Sequence, residues 1–287
     1  MLKFLLSVIV SLMPIAVCAD IRIIPPQSVY DSSHAYFSSL LKRVLVATQD
    51  EFGEELLVYS LPMEQGRAIQ ELERGNHIDV YWAGTSTERE AKLGVVKIPL
   101  LKGLLGYRVG VIRRDQAERF KGINSFEQLK KLSVCQGSHW PDSDIMEASG
   151  LNVLRSPVYE SMFKQVSFGR CDIFPRGVHE AYVEISVRNE AYPELVVFPE
   201  LLIYYPFPMY FFTSTKAPQL QRRIEVGLTK MIKSGEFARF LREHPTTRHL
   251  FPLSNWINRK TFVIENPLLP AATDITNMEL WVQPNLN

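Results

Sequence analysis

The chain has 287 residues, in which 32 lysines and arginines stand against 31 aspartates and glutamates. This balance, without any run of basic residues, excludes the phosphate-directed attraction on which nucleic-acid binding depends. The length exceeds that of a usual single domain. We therefore expect two lobes or domains, and a small molecule rather than a nucleic acid as the ligand.

Residues 1–19 have the pattern of a cleavable secretory signal peptide. Lys3 precedes an apolar stretch over 4–17. A membrane anchor is disfavoured, because the stretch is shorter than the ~20 residues that span a bilayer and contains Pro14. Lipidation of Cys18 is disfavoured as well, because a valine precedes it where a small residue would be expected. We expect a soluble monomer in the periplasm.

Strand and helix patterns alternate in the first part of the mature chain. They predict a strand at 21–24, a helix near 33–45, a strand at 56–59, a helix at 67–74 and a strand at 77–82. Consecutive strands that are joined through helices require right-handed crossovers. This order therefore predicts a parallel sheet.

The same alternation returns further along the chain. It predicts a strand at 132–137, a helical segment at 158–168, a strand at 171–174 and closing helices at 219–233 and 236–242. Between the two sets lies the long apolar segment 104–112, for which 209–215 offers a β partner near the return crossing. We therefore expect a second α/β lobe that the chain enters and leaves by crossing strands.

Together these patterns predict a two-lobed α/β protein, in which each lobe is a mostly parallel sheet flanked by helices and two crossing strands join the lobes. The predicted parts are the signal peptide at 1–19, a first lobe at 20–103 with 204–287, and a second lobe at 104–203. An extended, proline-spaced arm is expected from about 250 to 287.

Candidate ligand-binding residues follow the first-lobe strands, because ligands collect at the carboxyl ends of parallel strands. Tyr30 follows the first strand, and it is either a wall of the site or ordinary packing. Trp82 ends the third strand, as a ligand wall or as core. After Gly84, Ser86 or Thr85 offers a helix cap, and Arg89 is either a carboxylate-binding guanidinium or a surface arginine balanced by glutamates.

In the second lobe, the turn after 132–137 contains Ser138 and His139. Backbone N–H groups and a hydroxyl in such a turn favour an anion, although an isolated histidine is more often structural. Arg176 follows the strand at 171–174 and either points toward the same cleft or is an ordinary arginine.

His179 and Glu180 are interpreted as the exposed start of a helix. Cys135 and Cys171 are either a disulfide or two buried thiols, and both alternatives stay open. The sequence contains no paired-histidine helix motif, cysteine cluster, nucleophile elbow or Walker loop, so we expect neither a metal nor a cofactor.

Short motifs between residues 21 and 244 add a family resemblance. They lie at 66–80, 85–89, 107–111, 123–129, 134–138 and 169–172. Together they resemble the extracellular solute-binding proteins of family three, periplasmic proteins that serve polar amino acid importers. The resemblance implies a type II two-lobed fold that closes on its ligand by hinge motion.

The resemblance also implies roles for individual residues. Arg89 would receive the ligand carboxylate, and Tyr30 and Trp82 would flank the ligand. Gly84 would present backbone groups, while Ser138 and His139 would complete the carboxylate site. The acidic residue that holds the α-ammonium in many members would fall near Gly177, and no carboxylate stands there. Arg176 is its neighbour instead, so the expected solute is a carboxylate without the amine or one with a second anionic group, rather than an amino acid.

The resulting expectation is a receptor for an anionic or zwitterionic solute, with an inner-membrane permease or a sensor ectodomain as its partner. Two alternatives remain. One is a periplasmic dehydratase-like enzyme on the same fold, with His139 or Glu180 transferring a proton. The other is an interaction module that works through its outer surface.

Overall fold

The structure, a computed structural model, describes residues 20–254 and 259–282. The predicted signal peptide lies outside the described residues. The strands are β1 (Ile21–Ile23), β2 (Leu57–Tyr59), β3 (Val80–Gly84), β4 (Gly94–Val96), β5 (Tyr107–Arg113), β6 (Ser133–Gly137), β7 (Asn152–Ser156), β8 (Phe174–Gly177), β9 (Leu195–Tyr204), β10 (Met209–Thr213) and β11 (Lys260–Val263).

The helices lie at most of the predicted positions. They are α1 (Ser32–Val46), α2 (Gln49–Phe52), α3 (Gln65–Arg74), α4 (Thr87–Lys92), α5 (Ala117–Lys121), α6 (Phe126–Leu129), α7 (Pro141–Ala148), α8 (Tyr159–Ser167), α9 (Ala181–Val187), α10 (Pro218–Lys233) and α11 (Glu236–Glu243). Within the described part of the chain, no helix has both the length and the apolar character needed to cross a membrane.

The first lobe contains two small sheets. In one, β1 and β2 pair in parallel. In the other, β10 lies between β3 and β4 and is antiparallel to both. The prediction that 209–215 pairs with 104–112 is therefore wrong. Phe211 of β10 lies opposite Trp82 of β3 and packs edge-on against it, so this strand completes the first-lobe core instead.

The second lobe is built around β5. This strand is antiparallel to both β8 and β9, and β11 is added in parallel at the far side of β9. A separate pair, β6 and β7, is parallel, and a parallel bridge joins Val134 to Ile173. Each lobe therefore combines parallel and antiparallel strand pairs rather than a mostly parallel sheet, because β5, β9 and β10 supply antiparallel neighbours.

Two segments carry the chain between the lobes. One, 97–106, leads from β4 to β5, and the other, 205–208, returns from β9 to β10. The two segments lie close together, and the amide of Tyr205 donates to the carbonyl of Gly106 at 3.3 Å. A Cβ atom at Gly106 would lie 2.1 Å from the Tyr205 carbonyl oxygen, so this crossing requires glycine. The predicted lobe boundaries at 103/104 and 203/204 stay a prediction.

The C-terminal arm contacts both lobes. Strand β11 pairs with β9, while the carbonyl of Leu268 accepts the amide of Thr87 at the start of α4. Further on, Val282 donates to the carbonyl of Lys102 at 2.9 Å. The sequence predicts the arm as part of the first lobe alone. In the structure, its strand β11 also pairs with β9 of the second lobe.

Candidate functional site

A cavity of about 100 Å³ lies between the lobes. The start of α1, the end of β3 and the return crossing line it from the first lobe, while α7, β8 and α9 line it from the second. Its wall is unusually aromatic. The aromatic lining residues are Phe37, Tyr81, Trp82, Trp140, Tyr159 and Phe207.

The charged groups around this cavity come from both lobes. They are Asp31, Arg108, Asp142, Arg176, Glu180 and Glu184. Four carboxylates therefore face two guanidinium groups, which leaves an excess of two negative charges if all of them are ionised. We call these six residues the cleft charge cluster.

Arg108 lies on the crossing strand β5 and is only 3% exposed. Its guanidinium forms an ion pair with Asp142, and its Nη1 lies 3.6 Å from Glu180. Its Nε donates to the hydroxyl of Tyr205 at 3.1 Å. The two carboxylates raise the pKa of Arg108 although burial alone would lower it, so the guanidinium stays charged.

Arg176, on β8, binds Glu184 in a bidentate ion pair through one edge of its guanidinium. Its Nε and Nη2 donate to the two carboxylate oxygens at 2.8 and 2.7 Å, and Nη2 lies 3.0 Å from Glu180. Its Cζ also lies 5.1 Å from the ring centre of Trp140. Burial would lower the pKa of Arg176, but the two glutamates raise it well above its usual value. This predicted site residue does line the cavity, yet protein carboxylates already bind its guanidinium.

Asp31 contributes a carboxylate through its role as a helix cap. Its side chain accepts the amide of His34 at 3.1 Å and that of Gln27 at 3.0 Å, so it holds the first turn of α1 at the cavity. Burial raises the pKa of Asp31, and the two amides act in the opposite direction.

Arg89 lies beside the cavity but is not among the residues that line it. Its Nη1 donates to the carbonyl of Gly84 at 2.6 Å, and its Nη2 donates to Gln65 at 2.7 Å and to the carbonyl of His139 at 2.9 Å. Burial lowers the pKa of Arg89 to about 10, against the opposing effect of Tyr81 and Asp142. In this closed arrangement the guanidinium joins the two lobes.

The other first-lobe candidates divide into two groups. Trp82 and Gly84 line the cavity, and Phe207 packs so closely on Gly84 that a Cβ atom there would lie 2.0 Å from the Phe207 ring. The hydroxyl of Thr85 instead donates to Glu90 at 2.8 Å, and the cap of α4 is the next residue, Ser86.

Tyr30 lies at the rim between the lobes and does not line the cavity. The guanidinium of Arg188, on the second lobe, lies 5.3 Å from the centre of its ring. Arg188 is itself held by Glu160, which also accepts the hydroxyl of Ser28 at 2.6 Å. These contacts close the rim of the cleft.

Ser138 and His139 line a second, outer groove together with Arg89. The amide of Ser138 donates to the carbonyl of Ser156 at 2.8 Å. The ring of the exposed His139 packs against Gly66, where a Cβ atom would lie 2.6 Å from it. The structure therefore places this turn at the contact between the lobes and outside the cavity.

The interpretation of His179 and Glu180 as an exposed helix start is wrong, because their exposed fractions are 0% and 5%. Helix α9 begins only at Ala181, and the turn before it faces inward, where Glu180 accepts the amide of Gly177 at 2.9 Å. Neither ring nitrogen of His179 has a hydrogen-bond partner. Burial lowers the pKa of His179 well below its usual value, and Arg108 adds to the effect.

Sequence reasoning did not find Arg108, Asp142 or Glu184 as members of the site. The signal for Arg108 was present, since it is a lone charge inside an otherwise apolar crossing segment and such a charge needs a partner when buried. No local pattern pointed to the two carboxylates. Among the described residues, no group of histidine, cysteine and acidic side chains is arranged to hold a metal ion.

Cys135, at the centre of β6, and Cys171, just before β8, are joined as a disulfide, with Cα atoms 5.7 Å apart. Both residues are buried beside Phe174 in the second-lobe core. The disulfide therefore links two neighbouring parts of the second lobe, and neither cysteine lines the cavity.

No family model and no curated protein sequence matches the chain. Solved structures do match it. An ancestral arginine-binding protein bound to arginine is 17% identical, with a TM-score of 0.56 over 79% of this chain and 96% of that protein. A histidine kinase sensor domain with similarity to periplasmic binding proteins is 15% identical, with a TM-score of 0.54 over 78% and 92%.

A third similar structure is an ancestral amino acid-binding protein described as a precursor of cyclohexadienyl dehydratase. It is 17% identical, with a TM-score of 0.54 over 78% of this chain and 92% of that protein. The chain has the two-lobed fold of periplasmic binding proteins. The predicted fold class and the resemblance are confirmed at this level. At identities this low, the similarity shows that the chains share a fold and does not show which ligand this chain binds.

Proposed function

We propose that this protein is a periplasmic solute receptor that captures a small molecule in the cavity between its lobes. The observation that carries the proposal is the cavity itself, which is enclosed by residues of both lobes and contains charged and aromatic groups. We propose further that it delivers the solute to an importer or reports it to a sensor ectodomain.

Polar contacts between the lobes support capture by closure. Ser28 donates to Glu160 at 2.6 Å, Ser33 donates to Glu180 at 3.3 Å, and Arg89 donates to the carbonyl of His139 at 2.9 Å. Each contact joins a side chain of the first lobe to the second. A solute therefore enters when these bonds break and is enclosed when they form again.

The predicted carboxylate on the solute depends on Arg89. In the closed arrangement its guanidinium donates to three protein oxygens, and only one of them, that of His139, belongs to the second lobe. Opening of the lobes would free that one donor for a carboxylate. That the solute carries a carboxylate therefore stays a prediction. The proposal that the cleft binds a solute does not depend on it.

Thermal denaturation of the predicted mature protein, 20–287, against a panel of solutes tests the proposal. The panel contains carboxylic acids, amino acids, short peptides and organic cations. A ligand that binds the folded state adds about 2.7 kcal/mol to the free energy of unfolding when its concentration is a hundred times its Kd. The added stability raises the melting temperature. We expect at least one class to do so. No shift with any class would contradict the receptor, and turnover of the ligand that binds would support the enzyme alternative.

A further inference from the structure

The charge of the cavity points to the kind of group that it holds. Of the two guanidiniums in the cleft charge cluster, Arg108 faces Asp142 and Glu180, and Arg176 faces Glu184 and Glu180. Both are neutralised by the protein. Counting the neighbouring Arg89, whose hydrogen-bond acceptors are all uncharged, lowers the excess from two negative charges to one.

The aromatic wall points the same way. Phe37, Tyr81 and Trp82 contribute rings from the first lobe, and Trp140 and Tyr159 contribute rings from the second. The face of an aromatic ring attracts a cation, and aromatic rings recognise quaternary ammonium groups in this way. The second-lobe rings already contact a cation of the protein, because the Cζ atom of Arg176 lies 5.1 Å from the ring centre of Trp140 and 5.6 Å from that of Tyr159. The first-lobe rings are therefore the ones that we assign to the ligand. Ring faces repel an anion for the same electrostatic reason.

The volume limits the size of the group. An engineered apolar cavity of about 150 Å³ holds one benzene molecule. The cleft cavity, of about 100 Å³, therefore fits a group with a handful of heavy atoms. A trimethylammonium head group has this size.

We propose that the cavity binds a small quaternary ammonium compound against the first-lobe aromatic rings and beside the carboxylates of the cleft charge cluster. This inference rests on the proposed function, because it assigns a ligand class to the same cavity. It differs from the sequence-based expectation, since it requires no carboxylate on the solute.

The test compares three probes on the mature protein by calorimetric titration and thermal denaturation. They are choline, its uncharged carbon isostere dimethylbutanol, and acetate as a small anion. Choline and the alcohol have the same shape, so a difference between them reports the charge. We expect choline to bind and raise the melting temperature, and the other two to bind at least about tenfold more weakly.

A charge-removing variant locates the site. Asp31→Asn removes one carboxylate at the cavity, and its remaining side-chain oxygen can still accept the amide of His34 and cap α1. The amide of Gln27 loses its acceptor, so the melting temperature of the free variant is measured as well. Asp50→Asn removes an exposed carboxylate on α2 and is the matched control. We expect about a tenfold loss of choline affinity for Asp31→Asn and no loss for Asp50→Asn.

Several outcomes would overturn the inference. Equal affinity for choline and dimethylbutanol would show that charge is not recognised, and equal choline affinity in Asp31→Asn and the unmodified protein would place the binding elsewhere. If carboxylates or peptides raise the melting temperature and organic cations do not, the inference fails while the receptor stands. If no solute of any class binds, both fail.

Discussion

Arg108 shows how one buried charge organises the cleft. Its guanidinium holds Asp142 and approaches Glu180, while its Cζ lies within 5.7 Å of the ring centre of Tyr205 and 5.6 Å of that of Phe207. A buried ion cannot remain without partners, so these groups must come together when the chain folds. The partners of Arg108 therefore bring α7 and the start of α9 to the cavity.

His179 makes stability dependent on pH in a predictable direction. Burial lowers its folded-state pKa well below the usual 6.5, so the unfolded chain takes up a proton that the folded protein does not. Stability is therefore lost as pH falls below about 6.5, by up to about 1.4 kcal/mol per pH unit for this residue. Burial also lowers the pKa of His244 and of His249, which adds to the slope.

The substitution His179→Leu should make this dependence shallower, because it removes one such group without breaking a hydrogen bond of the ring. Urea unfolding at pH 7.5 and pH 5.5 measures the difference in the free energy of unfolding. His139→Gln, at an exposed position, is the control and should leave the slope unchanged. Equal slopes for His179→Leu and the unmodified protein would show that His179 is not held neutral.

At the scale of elements, α1 and α10 depend on a close approach at Gly227. A Cβ atom at this position would lie 2.7 Å from both the carbonyl oxygen and the Cγ1 atom of Val44. Alanine is a better helix former than glycine by about 1 kcal/mol. Here the helices would have to separate to accept it, and overpacking of this kind costs about 1–3 kcal/mol.

We therefore expect Gly227→Ala to destabilise the protein despite the higher helix propensity of alanine. The urea midpoint at constant denaturant slope measures the change. Lys233→Ala, at an exposed position in the last turn of the same helix, provides the comparison and should change stability by less than about 0.5 kcal/mol. A higher midpoint for Gly227→Ala would mean that the two helices are not in close contact.

Helices and most strands could be predicted from the sequence because their signals are local. Asp31 caps α1, and Gly75 ends α3 in a left-handed conformation, as such residues typically do. The partner of β10 could not be predicted in this way. Both β3 and the apolar segment 104–112 are suitable partners for β10 by their sequence patterns. In the structure β10 pairs with β3, and Phe211 packs against Trp82.

At the scale of the whole molecule, the two-lobed architecture could be predicted, but most of the residues that line the cleft could not. Trp82, Gly84 and Arg176 line the cavity, and their role in ligand binding stays a prediction. Tyr30, Ser138 and other candidates lie at the rim or in the outer groove, because their positions depend on how the lobes close. That arrangement is set by contacts between residues far apart in the chain, such as Arg89 and His139.

The central claim is that the lobes close around a solute. Small-angle X-ray scattering of the mature protein, with and without the solute that gives the largest thermal shift, tests it most directly. The account predicts that the free protein samples an open form with a larger radius of gyration, and that the solute reduces the radius to that of the closed structure. An unchanged radius of gyration at saturating solute, with the free protein above the closed value, would contradict the account.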